Sequence, residues 1–89
     1  MEVRVEKPDQ NTLAQLNVSA WPIWEKQEST FEWSYPQQEI CYLLEGRAEV
    51  TLPSGEKVAF GEGDLVTFPQ GLDCTWHIIQ KVRKHYQLG

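Results

Sequence analysis

A chain of 89 residues holds one domain and a single thin core, which burial in a homodimer would strengthen. With 40% hydrophobic residues, 4 Trp, 3 Tyr and 3 Phe, it has the apolar surface to fold, which excludes a disordered chain. Its formal net charge of -5 argues against a nucleic-acid backbone as the main partner, and no apolar run approaches the length of a membrane span.

Val3 and Val5 alternate with Glu2, Arg4 and Glu6, a first short strand that Pro8 ends. Asp9 can cap a short helix with Leu13 and Leu16 on its buried face. From Val18 onward the pattern is β. Trp21, Ile23 and Trp24 are large and apolar, Pro22 marks a bend, and Phe31, Trp33 and Tyr35 share one face of a strand. Glu39 to Leu44 forms the next strand, Glu45-Gly46 a turn or bulge, and Ala48, Val50 and Leu52 alternate beyond it. Pro53-Ser54-Gly55-Glu56 reads as a hairpin turn before a short strand at Val58 to Phe60. Gly61-Glu62-Gly63-Asp64 is a further turn, and Leu65 to Phe68 a strand buried on both faces. After Pro69-Gln70-Gly71, two last strands are expected at Cys74 to Ile79 and Val82 to Tyr86. Many short strands with frequent turns predict an all-β sandwich or barrel with one short N-terminal helix.

Two cysteines and no apolar leader after Met1 imply free thiols in a reducing cytoplasm, or in a plastid if a transit peptide has been removed. The basic group Lys81, Arg83, Lys84 and His85 reads as solvated charge on a terminal or edge strand.

Two spacings are more specific. Glu39 is followed by six residues and Gly46; Gly63 is followed by five residues, Pro69-Gln70-Gly71, two residues and Cys74. This resembles the two motifs of the cupin superfamily, and the whole chain 1–89 resembles short single-domain cupins related to the cupin domain of (S)-ureidoglycine aminohydrolase. The resemblance implies a jelly-roll β-barrel of antiparallel strands. It also implies a lumenal metal held by two histidines and a glutamate of the first motif and one histidine of the second. This chain keeps only Glu39. Trp33 and Tyr35 stand where the first two histidines belong, and Cys74 where the third does. Its two histidines, His77 and His85, cannot make a three-histidine site.

Glu39 is the leading functional candidate, because a lumenal carboxylate is costly unless it is paired, protonated or bound to a metal. Tyr35 and Cys74 join it as candidate catalytic groups, and Glu39 with Cys74, joined by Cys41 on the same strand face, as candidate metal ligands. Trp33, Cys41, Phe68, Trp76 and Arg83 are the candidate ligand-binding residues, with Arg83 as a counter-charge. Two cofactor outcomes stand open: a divalent metal (zinc or manganese) or a metal-free aromatic pocket. The expected partner is a small polar metabolite, for which the resemblance implies a ureido or other nitrogen-rich compound. An enzyme centred on Glu39 and a non-catalytic binding or structural dimer module both fit. Trp21, Trp24 and Tyr42 are candidates for a self-association patch. Glu39→Gln is expected to change binding with little loss of fold.

Overall fold

The computed structural model describes residues 2–89. After β1 (Arg4–Glu6), Asp9 caps α1 (Gln10–Leu16): its carboxylate accepts a hydrogen bond from the Thr12 backbone N–H at 2.8 Å. Asn17 ends the helix in the left-handed region, and Val18–Ala20 forms a 3-10 turn that buries Val18. The helix buries less than the sequence suggests. Leu13 is half-buried and Leu16 exposed, because the helix lies on the rim rather than on the core.

The remaining elements are β2 (Ile23–Lys26), β3 (Ser29–Ser34), β4 (Glu39–Thr51), β5 (Lys57–Gly61), β6 (Leu65–Phe68) and β7 (Asp73–Leu88). Every pairing is antiparallel. The fold is all-β with one short helix, as expected of a jelly roll. The hydrogen-bonded order β1-β6-β4-β7-β2, with β3 on β7 and β5 on β4, does not close into a ring among the described residues.

Two long strands organise everything else. β4 and β7 pair along nearly their whole length, from Glu39↔Leu88 to Thr51↔Thr75. The first half of β4 carries β6 on its other edge and the second half carries β5. Likewise β2 and β3 share the outer edge of β7. Register shifts between Leu43 and Ala48 bend β4 at the bulge that Glu45-Gly46 announces. Gly46 has φ +98°, and a Cβ there would lie 2.1 Å from the Lys81 carbonyl oxygen, so only glycine lets the strands approach.

The last two expected strands are one. β7 runs unbroken through Gln80 and Lys81, which were expected to separate two strands. It is a central strand, so the basic group Lys81 to His85 is not an edge device. Lys81 pairs with Glu25 at 3.3 Å on the outside, whereas Lys84 is buried. His85 Nδ1 donates to the Trp21 carbonyl at 2.8 Å, tying the lead into β2 to β7.

Alternation along the strands fills the interior. Cys41, Leu43, Ala48 and Val50 of β4 meet Val66 and Phe68 of β6 and Trp76, Ile78 and Val82 of β7 in one buried cluster. Its aromatic part is contiguous: Phe60 contacts Phe68 and Trp76 edge-on, at 5.9 and 5.3 Å between ring centroids.

Candidate ligand pocket

The alternation that builds the core also turns two charged side chains inward. On β4, Glu39 shares a face with Cys41 and Leu43 and is 7% exposed. On β7, Lys84 shares a face with Val82 and is 5% exposed. Lys84 Nζ donates to Glu39 Oε2 at 2.8 Å. The ammonium also stands 4.8 Å from the ring centroids of both Trp24 and Trp76, so one carboxylate and two ring faces attract it together. Removing a charge pair of this kind from water is expensive, and such geometry is what offsets the cost.

This pair forms the floor of a cavity of about 290 Å³, lined above it by Trp24, Phe31, Trp33, Tyr35, Trp76 and Tyr86, with Pro36, Gln37 and Leu88 at the mouth. Each element has a definite part. β3 pairs with the first half of β7 and sets Phe31 across from Trp76, their rings stacked at 6.0 Å. β2 pairs with the second half of β7 and brings Trp24 to Lys84. Trp33 is 49% exposed at the rim, edge-on to Phe31 at 6.4 Å.

Tyr35 lies just past the end of β3. Its ring stacks on Phe68 at 4.7 Å, and its hydroxyl oxygen accepts a hydrogen bond from Trp76 Nε1 at 3.0 Å. Burial, reinforced by the negative charge of Glu39, pushes this hydroxyl well above the ordinary tyrosine range. A hydroxyl kept protonated in this way can donate a hydrogen bond but cannot serve as a base.

The residues singled out from sequence divide in two. Glu39, Tyr35, Trp33 and Trp76 meet around the cavity. Cys41, Cys74, Phe68 and Arg83 do not line it. Cys41 is fully buried behind the floor, and burial raises its thiol to about 12. Cys74 opens instead on a separate surface groove with Glu32, Trp33 and Asp73, and burial raises its thiol to about 11. Neither environment favours a thiolate nucleophile, and the two thiols face different places, Cys41 the core and Cys74 the groove. Phe68 backs Tyr35 from the core. Arg83, one residue out of phase with Lys84, points to solvent. Trp21, Trp24 and Tyr42, considered for self-association, are half-buried, and Trp24 is turned into the cavity.

The donor set does not fit the metal that the cupin resemblance implies. The Glu39 carboxylate is already held by an ammonium, and aromatic side chains replace two of the imidazoles. Among the described residues no group of three or more His, Cys, Asp and Glu side chains is placed to hold an ion. Lys84 supplies the positive charge at this floor.

Residues 13–86 match the EutQ-like cupin domain family. The chain belongs to that family. A DUF861 family protein from Thermotoga maritima, of solved crystal structure, is 52% identical, with a TM-score of 0.98 over 99% of this chain and 100% of its own. The Clostridium difficile EutQ protein superposes with a TM-score of 0.68 at 27% identity, over 74% of this chain and 52% of that one. Acetate kinase EutQ of Clostridioides difficile (strain 630) is 34% identical over 47 residues, which are 53% of this chain and 29% of that protein. The cupin expected from sequence is thus a EutQ-like cupin, and it spans less than a third of this last relative.

Lys84 and Trp24 were missing from the sequence-derived site. The signal for Lys84 was present: Cys74, Trp76, Ile78, Val82 and Lys84 are all in phase if the strand is continuous. The expected break at Gln80-Lys81 hid it.

Proposed function

We propose that this EutQ-like cupin binds a small, overall neutral polar metabolite without a metal, on the Glu39–Lys84 pair. The observation that supports this reading is the ion pair at the floor of an aromatic cavity. The pair is electrically balanced. A ligand carrying net charge would leave an uncompensated charge in a poorly solvated place, whereas a neutral ligand would not. Lys84 offers N–H donors and Glu39 offers acceptor sites side by side, so the matching group is a carbonyl next to an N–H. Carboxamides and ureides have that edge, and their planar bodies suit the ring faces of Trp24, Phe31 and Trp76. The ureido or nitrogen-rich class expected from the ureidoglycine aminohydrolase resemblance falls within this proposed set, whereas the family to which the chain belongs is that of the EutQ-like cupins. The cavity volume lies near the lower end of the ~300–1,000 Å³ usual for small-molecule sites, which favours a compact ligand.

The acetate kinase relative is named for a carboxylate substrate. Acetate would bring a second negative charge beside Glu39, so it serves as the counter-probe. Titration calorimetry with hydantoin, a neutral cyclic ureide, and with acetate separates the two. Hydantoin is expected to bind at least about tenfold more tightly, a difference of ~1.4 kcal/mol, and Lys84→Met to remove that binding. Tighter binding of acetate overturns the neutral-ligand reading.

A further inference from the structure

Lys84 does more in this geometry than balance a charge. It is a primary amine at the floor of an open cavity, with a proton acceptor 2.8 Å away and a neutral hydroxyl, that of Tyr35, in the lining of the same cavity. These are the parts that condensation of an amine with a carbonyl compound requires: a positioned nucleophile, a base to free it and a donor to polarise the C=O. The aromatic walls help the last step, which expels water.

We propose that Lys84 forms an imine with a small aldehyde or ketone that enters the cavity. The resting state is the ammonium–carboxylate pair, with the ammonium over the rings of both Trp24 and Trp76. Lys84 Nζ passes a proton to Glu39, and its freed electron pair attacks the carbonyl carbon. A C–N bond forms as the C=O π bond breaks, and the nitrogen's second proton passes to the former carbonyl oxygen, to which the Tyr35 hydroxyl donates a hydrogen bond, giving a carbinolamine. The C–O bond then breaks. The departing hydroxyl takes the proton stored on Glu39 and leaves as water, and the nitrogen lone pair forms the C=N bond. The product is a protonated imine facing a restored Glu39 carboxylate. One ammonium and one carbonyl have become one iminium and one water, with no oxidant or reductant consumed.

The inference uses the same floor as the neutral-ligand reading and adds chemistry to it, and the two can fail separately. The test treats the wild-type protein with limiting acetaldehyde in the presence of cyanoborohydride, which reduces any imine to a stable secondary amine. Intact mass and peptide mapping then locate the label. Lys84 is expected to be labelled at least about tenfold faster than the exposed Lys7 and Lys57, although it is the least accessible of the three. Glu39→Gln keeps the amine and removes its base, so labelling is expected to fall about tenfold in any sample whose far-ultraviolet dichroism shows it folded. Lys84→Arg keeps the cation and is expected to leave only the surface labelling. Labelling of Lys7 and Lys57 with Lys84 untouched overturns the proposal. Hydantoin binding measured in the same preparation shows whether the neutral-ligand reading stands without it.

Discussion

Lys84 bonds to Glu39 and stands over two tryptophans, so deleting either charge leaves the other buried without its opposite charge. Glu39→Gln is therefore expected to cost about 3 kcal/mol or more in chemical denaturation, since truncating one partner of a buried pair exposes the full desolvation cost of the other. This replaces the sequence-based expectation that the substitution would spare the fold. Replacing both partners by apolar groups of similar size, Glu39→Leu with Lys84→Met, is expected to return stability to within about 1 kcal/mol of wild type while abolishing ligand binding. A double variant as unstable as the single one would mean that the pair holds the fold and not the ligand. At this scale Glu39 was legible because an acid in phase with Cys41 and Leu43 must face inward. Lys84 was not legible, because neighbouring Lys81, Arg83 and His85 made it look like one of a group of solvated charges.

Among the elements, β4 and β7 decide where the floor is. Their register shifts at the bulge, where Gly46 lies against the Lys81 backbone. Gly46→Ala forces a Cβ into that carbonyl at a φ of +98°, which L side chains rarely adopt. The expected cost is at least about 2 kcal/mol in denaturant midpoint studies, and a change below about 0.5 kcal/mol would show that the bulge can move without penalty. The bulge was readable from Glu45-Gly46, as were the hairpin turn at Pro53 to Glu56 and the Asp9 cap, because each depends on a few adjacent residues. The continuity of β7 was not readable. Gln80 and Lys81 are polar, and only their place beside the bulge of β4 keeps them extended. Strand breaks set by a partner strand leave no local signature.

At the scale of the whole molecule, the sheet has two halves and no boundary between them. β6, the first half of β4, the second half of β7 and β2 make one; β5, the second half of β4, the first half of β7 and β3 make the other. Since both long strands pass through both halves, neither half can lose its pairing alone. Unfolding is expected to be a single transition, with tryptophan fluorescence (Trp24 and Trp76 report on the pocket) and far-ultraviolet dichroism giving the same midpoint. Midpoints that separate would show that the pocket opens before the rest of the sheet. The overall class was visible in the alternation of short strands and turns. The cavity was less so, because its walls come from β2, β3, β4 and β7, and their meeting depends on register set across the sheet.

The cluster of Glu39, Lys84, Trp24 and Trp76 also constrains how such a protein can change over generations. Lys84 touches each of the other three, so a first substitution at either charge, or at a ring beneath the ammonium, carries a penalty that a second can cancel. The four positions should therefore behave as one heritable unit, altered in pairs or not at all. A drift toward a different floor chemistry would have to begin with changes elsewhere that raise stability enough to tolerate the intermediate.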